Sequence, residues 1–318
     1  MQTLKSFLQV IRWPNLVFII ITQLSFYFLV MVTLYNKVPL LLTPSLLVLL
    51  IIASVCIAAA GNIINDYFDV NIDLINKPNK QIVGKHITPR TAIRLHLMLS
   101  IFGVVISFVI SNIMHQHWLW LGWCNLLAVL VLILYSASLK KKLIIGNIVV
   151  AVLVAWVIVI LVCSQLQVNY LALDNTVISA SKITYSKLFA IGMLYAVFAF
   201  TITLIREVAK DMEDYIGDMQ YNCRTIPIAW GFQASKVFVA VCTMVIIIAI
   251  LLLQFFLLQY FYYYVILYCL VAIVAPLVFS LKVLIAAQAT IHYSLLSNIY
   301  KAIMLTGILS MIFFKIYA

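Results

Sequence analysis

Two clusters of aspartates stand out in this sequence because acidic residues are scarce elsewhere. One lies in NDYFDVNID, residues 65–73, and the other in DMEDYIGD, residues 211–218. Eight of the nine acidic residues fall within 66–73 and 207–218. The repeated aspartates are Asp66, Asp69 and Asp73 in the first cluster and Asp211, Asp214 and Asp218 in the second. The second triplet repeats the spacing of the first 145 residues later, which indicates an internal duplication.

The spacing within each triplet predicts a strip of carboxylates. Offsets of 0, 3 and 7 return to one face of a helical continuation. Two facing strips would repel each other without cations, and Mg²⁺ prefers oxygen ligands, commonly together with substrate phosphates. We therefore expect all six aspartates to hold or support Mg²⁺ around a diphosphate. The four with expected catalytic roles are Asp66, Asp69, Asp211 and Asp214.

Basic and amide side chains near both clusters could bind the same substrate. The basic residues are Lys77 and Lys80 after the first cluster, and Arg206, Lys210 and Arg224 around the second. All could neutralise diphosphate oxygens. Asn62 and Asn65 share a helix end with the first cluster, where each could orient a metal ligand or a phosphate oxygen, or instead cap the helix. The alternative, two solvated acidic loops, is disfavoured by the matched repetition.

The elements that position these residues must lie in a membrane. A chain of 318 residues that is 66% hydrophobic and 9% charged, with mean hydropathy +1.17, has too little polar surface for a soluble globule. Apolar runs long enough to cross a bilayer recur throughout, and the alternation of a membrane β-barrel is absent. The fold class is therefore an all-α bundle of nine transmembrane helices with two related four-helix halves. The spans are approximately 14–35, 45–65, 92–111, 117–137, 146–166, 188–206, 236–257, 261–281 and 294–316.

The distribution of Lys and Arg predicts the orientation. With a cytoplasmic N-terminus, fifteen of the twenty Lys and Arg residues fall on the inner side of the nine spans, as the positive-inside rule requires. Both aspartate clusters would then lie on the cytoplasmic side of the cell (inner) membrane. The net charge of +11 suits contact with anionic membrane lipids, and nucleic acid is not an expected partner.

The order of the motifs resembles the UbiA-type intramembrane prenyltransferases. The first cluster matches their N-D-x-x-D-x-x-x-D signature, and DMEDYIGD matches their second aspartate-rich motif. Three further segments occur in the same order as in the family: RWPN, INKPNKQIVGK and LYSASLKKKLIIGN. The resemblance covers nearly the whole chain. The resemblance implies one domain over 1–318, two Mg²⁺ ions, and transfer of a prenyl group from a prenyl diphosphate through an allylic carbocation. Lys77 and Lys80 stand where the family often has arginines, and Gln81 where it has a proline.

The acceptor is inferred from a finer resemblance. REVAKDMEDYIGDMQYNCRTIPIAWG is similar to the geranylgeranylglycerol-phosphate geranylgeranyltransferase subgroup. That similarity implies geranylgeranyl diphosphate as donor and the hydroxyl of a lipid-soluble prenylglyceryl phosphate as acceptor. Lys140, Lys141 and Lys142 form a candidate docking patch for its phosphate, or a topology anchor. An aromatic acceptor of quinone or chlorophyll-type biosynthesis is the alternative. A cation transporter is a third, disfavoured because the spans are nearly free of charge.

Overall fold

Helices form almost all of the protein. The computed structural model describes residues 2–76, 81–115, 119–165 and 175–317. Within these ranges there is no β-strand, and nine helices are long and apolar enough to cross a membrane. The expectation of an all-α, multi-pass membrane protein is therefore confirmed.

Twelve helices follow one another along the described chain. They are α1 (Gln2–Val10), α2 (Trp13–Leu34), α3 (Pro44–Phe68), α4 (Val70–Asn76), α5 (Pro89–Ile113), α6 (Trp120–Ala137), α7 (Ile145–Cys163), α8 (Asn175–Glu213), α9 (Tyr215–Gln220), α10 (Ile226–Leu258), α11 (Tyr263–Ala286) and α12 (Thr290–Ile316). The candidate spans are all except α1, α4 and α9, and that of α8 begins at Lys182.

Threonine–proline pairs set the start of two spans. Thr43 precedes Pro44 at the beginning of α3, and its side chain accepts a hydrogen bond from the backbone N–H of Leu46. Thr88 precedes Pro89 in the same way at the beginning of α5. A threonine oxygen satisfies an N–H that the first turn leaves free, and proline has the backbone angle that the first helical position needs.

Several spans extend beyond the residues predicted from hydropathy. The predicted spans 45–65 and 188–206 ended before the aspartate clusters, but α3 continues to Phe68 and α8 to Glu213. The first aspartate of each triplet therefore lies on the membrane helix itself, and the expectation that both clusters follow the helices was wrong in this respect. Hydropathy drops at the first charged residues, whereas the helical backbone hydrogen bonds continue beyond them: the N–H of Asp69 donates to Asn65 and that of Asp214 donates to Lys210.

Helix α3 packs against α5, and α8 packs against both α7 and α12. Buried apolar side chains of α2, α3, α7 and α8 form one core cluster, with Phe26, Tyr27 and Leu161 almost fully buried. A second cluster joins α8 to α10, α11 and α12 around Tyr300. Because α8 and α12 each contribute to both clusters, these two helices link the two sides of the bundle.

A proline in α11 is accommodated by a hydrogen bond from α12. Residues Leu270–Val274 form a π-helical segment just before Pro276. Proline has no N–H to offer the carbonyl four residues earlier, which is that of Ala272. The hydroxyl of Thr306 donates to this carbonyl at 2.8 Å. In a membrane span such a free carbonyl needs a partner from a neighbouring helix, and Thr306 provides it.

Candidate active site

Each aspartate triplet spans a break between a membrane helix and a short helix. Helix α3 gives way to α4 at Asp69, and α8 gives way to α9 at Asp214. The two break residues have almost the same backbone angles, with φ −91° and ψ 0° at Asp69 and φ −90° and ψ 8° at Asp214. Each is the middle member of its triplet, so the break falls at the same place in the repeat. This supports the predicted duplication. The expectation of one unbroken helical strip was wrong, because the second aspartate leaves the helical conformation.

The short helices α4 and α9 bring the two motifs face to face. The side-chain oxygen Oδ1 of Asn76 in α4 accepts a hydrogen bond of 2.8 Å from the backbone N–H of Gly217 in α9. The approach is so close that a Cβ on Gly217 would lie 2.5 Å from the same oxygen. A larger residue at position 217 would therefore force the side chain of Asn76 to move and would disturb the contact between the two motifs.

One cavity of about 880 Å³ contains both motifs. All six aspartates predicted as metal ligands line it: Asp66, Asp69, Asp73, Asp211, Asp214 and Asp218. Away from them most of the lining residues are apolar, among them Phe18, Ile57, Leu132, Trp156 and Phe198, and a few polar and basic side chains lie between them. The cavity thus has a carboxylate-rich end and a hydrocarbon-like end, both between membrane helices.

Cations hold two carboxylates of the first motif. The guanidinium of Arg12, directly before α2, pairs with Asp66 at 2.6 Å. The charge of Asp66 raises the pKa of Arg12 above its ordinary value. The ammonium of Lys140 pairs with Asp69 from a 3₁₀ turn at Leu139–Lys141. Asn65 donates its side-chain N–H to the other oxygen of Asp69 at 2.8 Å. The two carboxylates are therefore fixed in direction, and both line the cavity.

The second motif is held differently. Asn147, near the start of α7, donates its side-chain N–H to Asp211 at 2.7 Å. One turn earlier on α8, Glu207 accepts from Arg206 at 2.8 Å and from Lys210 at 2.9 Å. Arg206, Glu207 and Lys210 all line the cavity. Arg206, Glu207 and Lys210 together carry one net positive charge, and the two cations are placed to contact a polyanionic ligand.

Not every predicted substrate-binding residue reaches the cavity. Lys140 lines it, but Lys141 and Lys142 are exposed and do not, so the three lysines do not act as one patch. Arg224 is also exposed and outside the lining; its backbone N–H donates to the carbonyl of Lys141. Lys77 and Lys80 lie outside the described residues. Asn62 lines the cavity, with its side-chain N–H committed to the carbonyl of Ile11.

Three residues of the cavity lining were not singled out from the sequence as site residues: Arg12, Tyr135 and Lys301. The same is true of Asn147, which does not line the cavity but holds Asp211. A signal was present for Asn147. Helices α2 and α7 both begin directly after a residue with a left-handed backbone, Arg12 at φ 52° and Ile144 at φ 54°. Each helix then carries asparagine at its third position, so RWPN and IIGN are equivalent helix starts beside the two motifs.

The donor set fits a divalent cation shared with a phosphate ligand. It consists of carboxylate oxygens from two motifs, the ligands that Mg²⁺ takes. Among the residues that the structure describes, no three His, Cys, Asp or Glu side chains converge to enclose an ion unaided. A divalent cation at this place would be held by one or two carboxylates, with phosphate oxygens and water completing its shell.

Comparisons with known proteins agree with this geometry. The model of the UbiA prenyltransferase family matches residues 20–311. Digeranylgeranylglyceryl phosphate synthase of Methanosphaera stadtmanae is 30% identical over 75% of this chain and 77% of its own length. The enzyme of the same name from Thermococcus sibiricus is 31% identical over 63% of this chain and 62% of its own length.

The same architecture occurs in a solved structure. That structure, described as giving insights into the biosynthesis of digeranylgeranylglyceryl phosphate synthase in membranes, has a TM-score of 0.59 at 24% identity, with 100% of both chains covered. This similarity shows the fold.

Proposed function

The chain belongs to the UbiA prenyltransferase family, and from this premise we propose that it transfers a geranylgeranyl group from geranylgeranyl diphosphate to the hydroxyl of a prenylglyceryl phosphate. The observation that carries the proposal is the cavity with two unlike ends. A prenyl diphosphate has the same division, since its diphosphate suits the carboxylate-rich end and its hydrocarbon chain the apolar end. The choice of acceptor is supported by the names of the relatives.

We propose Mg²⁺ as the cofactor. Asp66 and Asp69 would hold it from one side and Asp211 and Asp214 from the other, and their neighbours Asp73 and Asp218 would support them. Bound Mg²⁺ supplies the positive charge that makes the diphosphate a better leaving group. The cations already in contact with the carboxylates, Arg12 and Lys140, are placed to turn to phosphate oxygens when the site fills.

The remaining chemistry is assigned to the walls of the cavity. The bond between the allylic carbon and the diphosphate oxygen breaks, which releases diphosphate and leaves an allylic carbocation. The acceptor hydroxyl oxygen bonds to that carbon and gives up its proton to the released diphosphate. Aromatic faces stabilise a nearby cation, and Tyr135 and Trp156 line the cavity. The apolar wall keeps out water, which would otherwise capture the carbocation. On the proposed topology this reaction occurs at the cytoplasmic side.

Product analysis tests the function. Purified protein is given a panel of prenyl diphosphates with glycerol phosphate ethers or aromatic acceptors, and the products are identified by mass spectrometry. We expect an ether that keeps its phosphate, survives mild alkaline hydrolysis, and forms with Mg²⁺ but not in EDTA until Mg²⁺ is restored. A carbon-prenylated aromatic product would assign the other acceptor class. Full activity in EDTA would contradict the role of the metal.

A further inference from the structure

One lysine lies deep in a membrane span without an acidic partner among the described ion pairs. Lys301 belongs to α12 and lines the cavity. Its ammonium donates to the side-chain oxygen of Asn15 at 3.3 Å and lies 5.4 Å from the ring centre of Phe18. Both partners are uncharged. A charged side chain at membrane depth is costly unless an anion or water compensates it, so its usual role is functional.

The wall beside Lys301 offers further unused donors. Arg206 is near enough for the two positive charges to repel each other. The guanidinium donates to Glu207 through Nη1, whereas its Nε is buried and has no hydrogen-bond partner in the described part of the chain. The hydroxyl of Thr203 is also buried and unpaired there, and both residues line the cavity. Buried donors without acceptors are uncommon in folded proteins, and a ligand that enters the site is one way to satisfy them.

The packing of α8 on α12 fixes the depth of this group. The hydroxyls of Tyr195 and Ser310 lie 2.9 Å apart, and Gly307 packs directly on Phe198. This antiparallel register places Lys301 level with residues 203–206 of α8. Asp211 lies several residues further along α8, which corresponds to about 10 Å at the rise of an α-helix. The lysine is therefore separate from the carboxylates that face a diphosphate.

We propose that Lys301, Arg206, Thr203 and Asn15 form a second anion subsite, which binds the phosphate monoester of the acceptor. This assignment rests on the proposed function. The free hydroxyl and the phosphate of a glycerol phosphate ether stand on neighbouring carbons, so the hydroxyl can approach the allylic carbon while the phosphate contacts Lys301. The subsite fixes which end of the acceptor enters the membrane-embedded cavity first.

Binding without turnover tests the subsite directly. Thermal unfolding of the full-length protein is measured in EDTA, without donor, with geranylgeranylglyceryl phosphate or with the same lipid lacking its phosphate. We expect the wild type to be stabilised more by the phosphorylated lipid, Lys301→Gln to lose this preference, and Lys301→Arg to retain most of it. Lys282→Gln, which removes an exposed lysine outside the cavity, is the matched control and should behave as wild type.

Kinetics separate the acceptor from the donor. Lys301→Gln should raise the KM for the phosphorylated acceptor about tenfold and leave the donor KM within about twofold. If Lys301→Gln does not fold, Thr203→Val, which keeps the shape and removes the hydroxyl, should lower the preference for phosphorylated lipid about threefold. Retained preference in the variants, an equal rise in donor KM, or no preference in the wild type would overturn the subsite. Phosphate-dependent binding that needs Lys301, without any ether product, would instead refute the proposed function alone.

Discussion

At the scale of single residues, the two motifs differ in what holds their carboxylates. Asp66 and Asp69 face the cations Arg12 and Lys140, whereas Asp211 is held by the neutral amide of Asn147. A carboxylate with a cation partner keeps its charge but must exchange that partner when a metal binds. A carboxylate fixed by an amide is oriented without being neutralised. Both arrangements preorganise oxygens toward one cavity.

Substitution of one carboxylate at a time should reveal this role. Asp211→Asn and Asp214→Asn each remove one negative oxygen ligand with almost no change of shape. We expect each to lower kcat/KM at least a hundredfold, equivalent to about 2.7 kcal/mol or more of transition-state stabilisation, with the protein still folded in detergent. Glu213→Gln is the matched control because Glu213 lies between them in sequence and does not line the cavity. Equal losses in all three variants would contradict a specific ligand role.

At the scale of elements, the contact between α4 and α9 sets the separation of the motifs. Gly217→Ala should hold the two short helices apart, because the new Cβ would meet Asn76 at 2.5 Å. Helix propensity alone predicts that this substitution stabilises α9, since alanine in an exposed helix is more favourable than glycine by about 1 kcal/mol. We expect at least a tenfold loss of activity measured as kcat/KM.

The control for this substitution lies on the same helix. Met219→Ala removes an exposed side chain from α9 and should leave activity unchanged. A Gly217→Ala enzyme as active as the wild type would show that the spacing of the motifs tolerates this change.

The same elements show what the sequence could predict. Nine apolar runs and two aspartate triplets are local patterns, so the number of spans and the carboxylate-rich site followed from composition and spacing. The helix breaks at Asp69 and Asp214 could not be predicted from the sequence, because the helical spacing of the aspartates continues through them. The partners of Arg12 and Lys301 also escaped prediction. Arg12 pairs with a residue 54 positions away and Lys301 with one 286 positions away, and only tertiary packing joins them.

At the scale of the whole molecule, the proposed topology puts the polar end of the cavity on the cytoplasmic side of the membrane. Cysteines introduced at Lys142 and Met219, both exposed, should react with a membrane-impermeant maleimide only from the cytoplasmic side. A cysteine at Tyr264, exposed at the opposite end of the bundle, should react only from outside. Reaction of Lys142→Cys and Met219→Cys from opposite sides would contradict a shared site.

The native cysteines should interfere little with this labelling. Five of them lie within spans. The sixth, Cys223, is buried, and burial raises the pKa of its thiol to about 11, so at pH 7 it stays in the protonated, unreactive form. Labelling of the unsubstituted protein at pH 7 measures this background, and it should increase only as the pH approaches that pKa.

The proline in α11 makes two distant positions mutually dependent in evolution. The Thr306 hydroxyl lies 2.8 Å from the Ala272 carbonyl and 3.0 Å from the carbonyl of Ile303 on its own helix, and residue 276 has no N–H to offer the first of them. Thr306→Val alone should therefore destabilise the protein by about 1 kcal/mol, the typical value for a hydrogen bond between membrane helices. In a Pro276→Ala background the restored N–H can take over, and the same substitution should cost less. A double-mutant cycle of thermal unfolding measures this coupling, and additive effects would exclude it.

A lineage that first loses the proline is then free to vary the threonine. A lineage that first loses the threonine passes through a less stable protein.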